Sequence, residues 1–206
     1  MKSSYYGKAS SLKFSLLSFV RKNKLKLIIL AAISVLALVT GVFSAIKYLN
    51  GETAIIFSDF GLKELASGNS GTSAMFFQRL WSILAVLTLL MLLSLHAVLF
   101  GIGTIVVVYR SFLLGLNVTF IIILYGFSGI ITGILIIFPF QLLMLCLMIE
   151  FFVLARDRCV TKSKYGAKTG INLFLLFLIF LCVLAIVNLL ETILLVLTSA
   201  KVILII

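Results

Sequence analysis

Two glutamates, one histidine and a proline-glutamine pair stand inside long apolar stretches of this 206-residue chain. An ionisable side chain in such a place is costly unless it is paired or reaches water. Glu150 comes six residues before Arg156. It reads as an acid at the cytoplasmic end of a helix, forming an ion pair with Arg110 or Arg156 rather than relaying protons. Glu191 lies 20 residues after Ile171, about 30 Å along a helix at ~1.5 Å per residue, so it is expected near the far headgroups as an interfacial anchor. Pro139 removes a backbone hydrogen bond and crowds the preceding turn, which predicts a broken or re-entrant helix there, with Gln141 as a local partner for the freed carbonyl.

The nucleophiles form no working constellation. Gly126-Phe127-Ser128-Gly129 matches the G-x-S-G of rhomboid intramembrane proteases, and His96 is a lone histidine in an apolar span. A serine nucleophile needs a base within hydrogen-bond reach. Rhomboids supply that base from a helix after the serine, whereas His96 precedes Ser128 and is expected deep in a span, with Ser128 at an outer turn. No H-E-x-x-H and no Walker motif is present, and both aspartates, Asp59 and Asp157, fall outside the apolar stretches. Cys146, Cys159 and Cys182 have no metal-ligand spacing, and no disulfide is expected of them. The reading is of a chain with no cofactor, no metal and no reaction of its own.

What must position these residues is lipid-embedded helix. The chain is 63% hydrophobic and 11% charged, with a mean hydropathy of +1.32, and a hydrocarbon core of about 30 Å needs ~20 apolar residues per helix. Five stretches qualify: about 25–46, 81–108, 112–125, 130–155 and 171–197. The expected fold is all-α, a polytopic membrane helix bundle of five spans. It forms a single membrane domain over 25–206, preceded by a basic cytoplasmic or interfacial segment over 1–24. The net charge of +11 clusters in that segment and in the loop from Arg156 to Lys168. It therefore points to membrane orientation and not to nucleic acid. With the N-terminus in the cytoplasm and Arg110 in an inner loop, thirteen basic residues fall inside and four outside. The positive-inside rule then places the C-terminus outside a cell membrane.

The outer loop, 47–80, is the one sizeable extracytoplasmic segment, and its apolar groups, Phe57 and Phe60 among them, mark it as a partner surface. Between Arg110 and Arg156 lie 45 residues without a basic residue, near the minimum for two crossings, which leaves Gly126–Gly129 for the turn. Gly129 and Gly133 have the small-xxx-small spacing that lets helices approach closely.

The order of these features resembles the stage II sporulation protein M family of membrane proteins. The resemblance rests on the basic N-terminus before one span, on Ser70-Gly71-Thr72-Ser73-Ala74-Met75-Phe76-Phe77-Gln78, on Phe100-Gly101-Ile102-Gly103-Thr104, on Arg110-Ser111-Phe112-Leu113-Leu114-Gly115, on Phe138-Pro139-Phe140-Gln141 and on Glu191. Larger members have Pro-His-Gly…Glu where this chain has Pro139-Phe140-Gln141, so it departs from them towards the short branch. The resemblance implies a non-enzymatic membrane component that anchors or localises peptidoglycan-remodelling enzymes, as in sporulation engulfment. Other short members accompany circular bacteriocins, which implies the alternative of a subunit for export, maturation or immunity of a hydrophobic peptide. The partners expected are membrane lipid and either cell-wall enzymes or, in the second case, an ATPase subunit and the peptide.

Overall fold

The computed structural model describes residues 4–47, 72–165 and 169–202. Every element among them is helical. Helix α1 is Ser4–Lys47, α2 is Thr72–Ser94, α3 is Ala97–Ile130, a π-helical segment is Ile131–Ile137, α4 is Phe138–Tyr165 and α5 is Thr169–Val202. Five stretches within them are long and apolar enough to cross a membrane: Lys24–Lys47, Phe76–Ser94, Leu99–Ile123, Gly126–Val160 and Leu173–Thr198. The protein is thus a multi-pass membrane helix bundle. The basic residues from Lys8 to Lys22 continue the first span as part of α1. The proposed partner residues Phe57 and Phe60 lie outside the described residues.

Spans two and three differ from the sequence expectation. They were expected to meet at Arg110, but the chain leaves helix at Leu95–His96, and Arg110 falls inside the third span. The physical reason is that an arginine can be accommodated within a bundle by facing a carboxylate, so its charge does not mark a loop. The actual turn is held from elsewhere in the chain. The Arg156 guanidinium donates to the Ser94 and Leu95 carbonyls at 3.2 and 3.3 Å, giving a cation to the exposed C-terminal carbonyls of α2. That contact also fixes the far end of the fourth span at the level of the His96 turn.

The expected turn at Gly126–Gly129 is present. Gly126 has φ 55° and ψ −125°, a conformation that a side chain would strain. Immediately after it the chain folds back on itself, and a Cβ at Gly129 would collide with the Ile121 carbonyl oxygen and approach the Ile122 Cα to 2.9 Å. Gly129 is therefore a position of close backbone approach. Gly133 is not, because a Cβ there would make ordinary contacts of 3.5–3.6 Å with Val118 and Ile122.

Near Pro139 the helix changes register without unwinding. The seven residues Ile131–Ile137 wind as a π-helix, and the Phe138 N–H bonds the Gly133 carbonyl. A wider turn ahead of the proline lets the chain absorb the missing donor while remaining helical.

Helix α1 lays a stripe of small residues on α3. Ser34, Ala37, Gly41 and Ala45 are buried, at spacings of three or four that keep them on one face. A Cβ on Gly41 would strike the Phe112 carbonyl, and one on Gly115 would strike the Leu38 carbonyl. The two backbones touch, as small residues permit in lipid.

Candidate functional site: a polar layer inside the bundle

Two apolar clusters fill the interior. The one toward the His96 turn contains Leu87, Leu90, Val107, Phe151, Phe152 and Leu184, with the Phe100 and Phe152 rings stacked at 4.4 Å. The one toward Gly126 contains Val118, Ile121, Ile136, Ile137 and Leu195. Each long helix changes character between them. On α3 Arg110 lies between Val107 and Val118; on the fourth span Gln141 lies between Ile137 and Met144; on α5 Asn188, Glu191 and Thr192 lie between Val187 and Leu195. Arg79 enters the same level from α2. Arg79, Arg110 and Gln141 are each about 15 residues from the His96 end, ~22 Å at ~1.5 Å per residue.

Glu191 is the centre of this layer. Its side chain is fully buried, Arg79 is 6% exposed, and Arg79 Nη1 lies 3.0 Å from Glu191 Oε1. Gln141 Nε2 donates to both carboxylate oxygens, at 3.1 and 2.9 Å. Arg110 is close enough to add a coulombic attraction. The interfacial position expected for Glu191 is thus replaced by a buried one, because α2 and α4 supply the donors that headgroup water would have supplied. Gln141 does not serve the carbonyl freed by Pro139; it spends its amide on Glu191.

Asn188 and Thr192 complete the face. At i, i+3 and i+4, Asn188, Glu191 and Thr192 share one side of α5. Asn188 Nδ2 donates to the Phe76 carbonyl at 3.3 Å, and the Thr192 hydroxyl donates to the Asn188 carbonyl at 2.8 Å. Asn188 Oδ1 is buried with no hydrogen-bond partner, as are both polar atoms of Asn117, which lies two turns from Arg110 on the same face of α3.

The expected Arg110–Glu150 pairing is not favoured by this arrangement. Arg110 shares a crevice with Leu114, Gln141, Met144, Leu145 and Met148, so it faces the 141/144/145/148 side of α4. Glu150 is nine residues beyond Gln141, half a turn out of phase, on the opposite side of the helix. The other candidate chemistry also separates: His96 is at one end of the third span and Ser128 just past the other. Among the described residues no three His, Cys, Asp or Glu side chains gather as a metal site.

Sequence reasoning missed Arg79, read as a loop cation, and Asn188. A usable signal existed for the second, since Asn188 and Glu191 are a polar pair at i, i+3 in an otherwise apolar helix. The chain gives no match to protein-family models, to curated proteins or to solved structures.

Proposed function

We propose that this protein is a non-enzymatic scaffold of the cell membrane that anchors extracytoplasmic peptidoglycan-remodelling enzymes. The observation that carries this reading is the disposition of the intramembrane charge. The Glu191 carboxylate is held by Arg79 on α2 and Gln141 on α4, an arrangement that fastens three helices together. Met144, Leu145 and Met148 wall the crevice beside Gln141, all from the regular part of span four beyond Pro139, which supports packing as the role of this region. The resemblance of the chain's order of features to stage II sporulation protein M supports the choice of cell-wall enzymes as partners.

In this reading the N-terminus and the basic Arg156–Lys168 segment are cytoplasmic, and the 48–71 segment carries Phe57 and Phe60 outside. The test is affinity purification from membranes in mild detergent. A peptidoglycan hydrolase should co-purify with the wild type and be lost from Phe57→Ser/Phe60→Ser, with membrane insertion unchanged. Recovery of an ATPase subunit and a hydrophobic peptide precursor instead would replace this reading with the export, maturation or immunity one, for which the crevice beside Arg110 is the supporting feature.

A further inference from the structure

Four helices meet around a small crevice beside the Glu191 clasp. Ser82 lines it from α2, Arg110 from α3, Gln141 and Met144 from α4, and Asn188 from α5. It has room for about one water molecule. The Asn188 side chain is fully buried, and its two ends are treated unequally. Nδ2 donates to the Phe76 carbonyl at 3.3 Å, while Oδ1 has no hydrogen-bond partner among the described residues. Within a bilayer no bulk water is at hand to satisfy such an acceptor, so its partner must come from inside the bundle. Two other polar groups stand on the same wall. The Ser82 hydroxyl can donate and accept at once. Gln141 gives Nε2 to both Glu191 oxygens, and its Oε1 is a further acceptor. Arg79 and Arg110 have partners of their own within the bundle, and the site asks nothing of them.

We propose that this crevice is a binding site for one buried water, which bridges Ser82 on α2 to Asn188 on α5. The water donates one hydrogen to Asn188 Oδ1 and the other to Gln141 Oε1, and it accepts from the Ser82 hydroxyl. A buried water typically makes about three such bonds, and a polar site that supplies them is costly to empty. The bridge is nearly as favourable in enthalpy as a direct hydrogen bond. It adds a second tie between α2 and α5 beside the Arg79–Glu191 pair, and through Gln141 it joins Asn188 to the Glu191 carboxylate in one network. The neighbouring slot is also about the size of one water, but the residues it adds, Leu114, Leu145 and Met148, are apolar. Apolar cavities stay dry. This site stands independently of the scaffold reading.

The experiment is X-ray hydroxyl-radical footprinting of the full-length protein in detergent, read by mass spectrometry. Irradiation makes radicals from bound water in place, so a buried side chain beside an ordered water is oxidised out of proportion to its exposure. Met144 is 3% exposed and borders the crevice, whereas Met148 is 2% exposed and borders only the apolar slot. Met144 should oxidise several-fold faster than Met148. Asn188→Leu, which removes the acceptor, and Ser82→Val, which fills the crevice and leaves the bond from Asn188 to Phe76 alone, should each bring Met144 down to the Met148 rate. Equal rates for the two methionines in the wild type, or a wild-type Met144 rate in folded Ser82→Val, would overturn the proposal.

Discussion

Arg79 and Glu191 lie 3.0 Å apart with side chains 6% and 0% exposed, joining α2 to α5 at a level where neither can reach bulk water. Removing one partner strands the other's polarity in the bundle, a change that costs about 3–5 kcal/mol when the pair is buried. Glu191→Ala and Arg79→Ala are each expected to lower the thermal transition in detergent, followed through the fluorescence of neighbouring Trp81. Glu191→Gln should lose less, because an amide oxygen still accepts from Arg79. Equal stability of Glu191→Ala and wild type would mean that the pair holds nothing together.

The glycines make unequal claims. Gly41→Ala and Gly115→Ala place a methyl against a carbonyl of the facing helix and should destabilise by about 1–3 kcal/mol. Gly101→Ala meets nothing within 4 Å and should be neutral or slightly stabilising. Chemical denaturation of the three variants side by side checks the ranking; a loss at Gly101 matching that at Gly41 would contradict the close packing of α1 on α3.

The number of spans was legible in hydropathy, because burial in lipid demands uninterrupted apolar length whatever the packing. The boundary between spans two and three was not legible. Arg110 carries a charge that reads as a loop but faces a carboxylate inside, while the turn at Leu95–His96 lacks any Gly, Pro or acidic marker and is held by Arg156 from two spans later. The tight turn at Gly126 was readable because only local backbone geometry is involved. The pairing of Glu191 with Arg79 and Gln141 depends on which helix faces join three spans, information that no local pattern of one chain contains.

Arg156 is expected to matter more than a surface cation. Its Nη1 donates to both the Ser94 and Leu95 carbonyls, charge-assisted bonds of which the one to Leu95 is exposed, so a loss of about 1 kcal/mol is expected. Arg156→Ala should speed hydrogen exchange at the end of α2, measured by mass spectrometry, with Arg156→Lys in between. Unchanged exchange over Leu92–Leu95 in Arg156→Ala would show that the turn stands without it.

The basic clusters at the ends of α1 and α4 predict an orientation with both on the cytoplasmic side. In intact cells, with Cys159 replaced by Ser, Ser70→Cys should label rapidly with a membrane-impermeant maleimide and Lys164→Cys only after permeabilisation. The reverse pattern would invert the protein and remove the outer loop from the cell-wall side.

The central claim is that the buried charges clasp the helices of a scaffold and take no direct part in moving a substrate or proton. Exchanging the pair, Arg79→Glu with Glu191→Arg, tests it most directly, since a clasp needs opposite charges in contact whereas a relay needs the acid in its own place. The account predicts that each single reversal abolishes folding and co-purification of the cell-wall enzyme, and that the double exchange restores both in large part. A double exchange that folds as stably as the wild type but fails to recover the partner would contradict it.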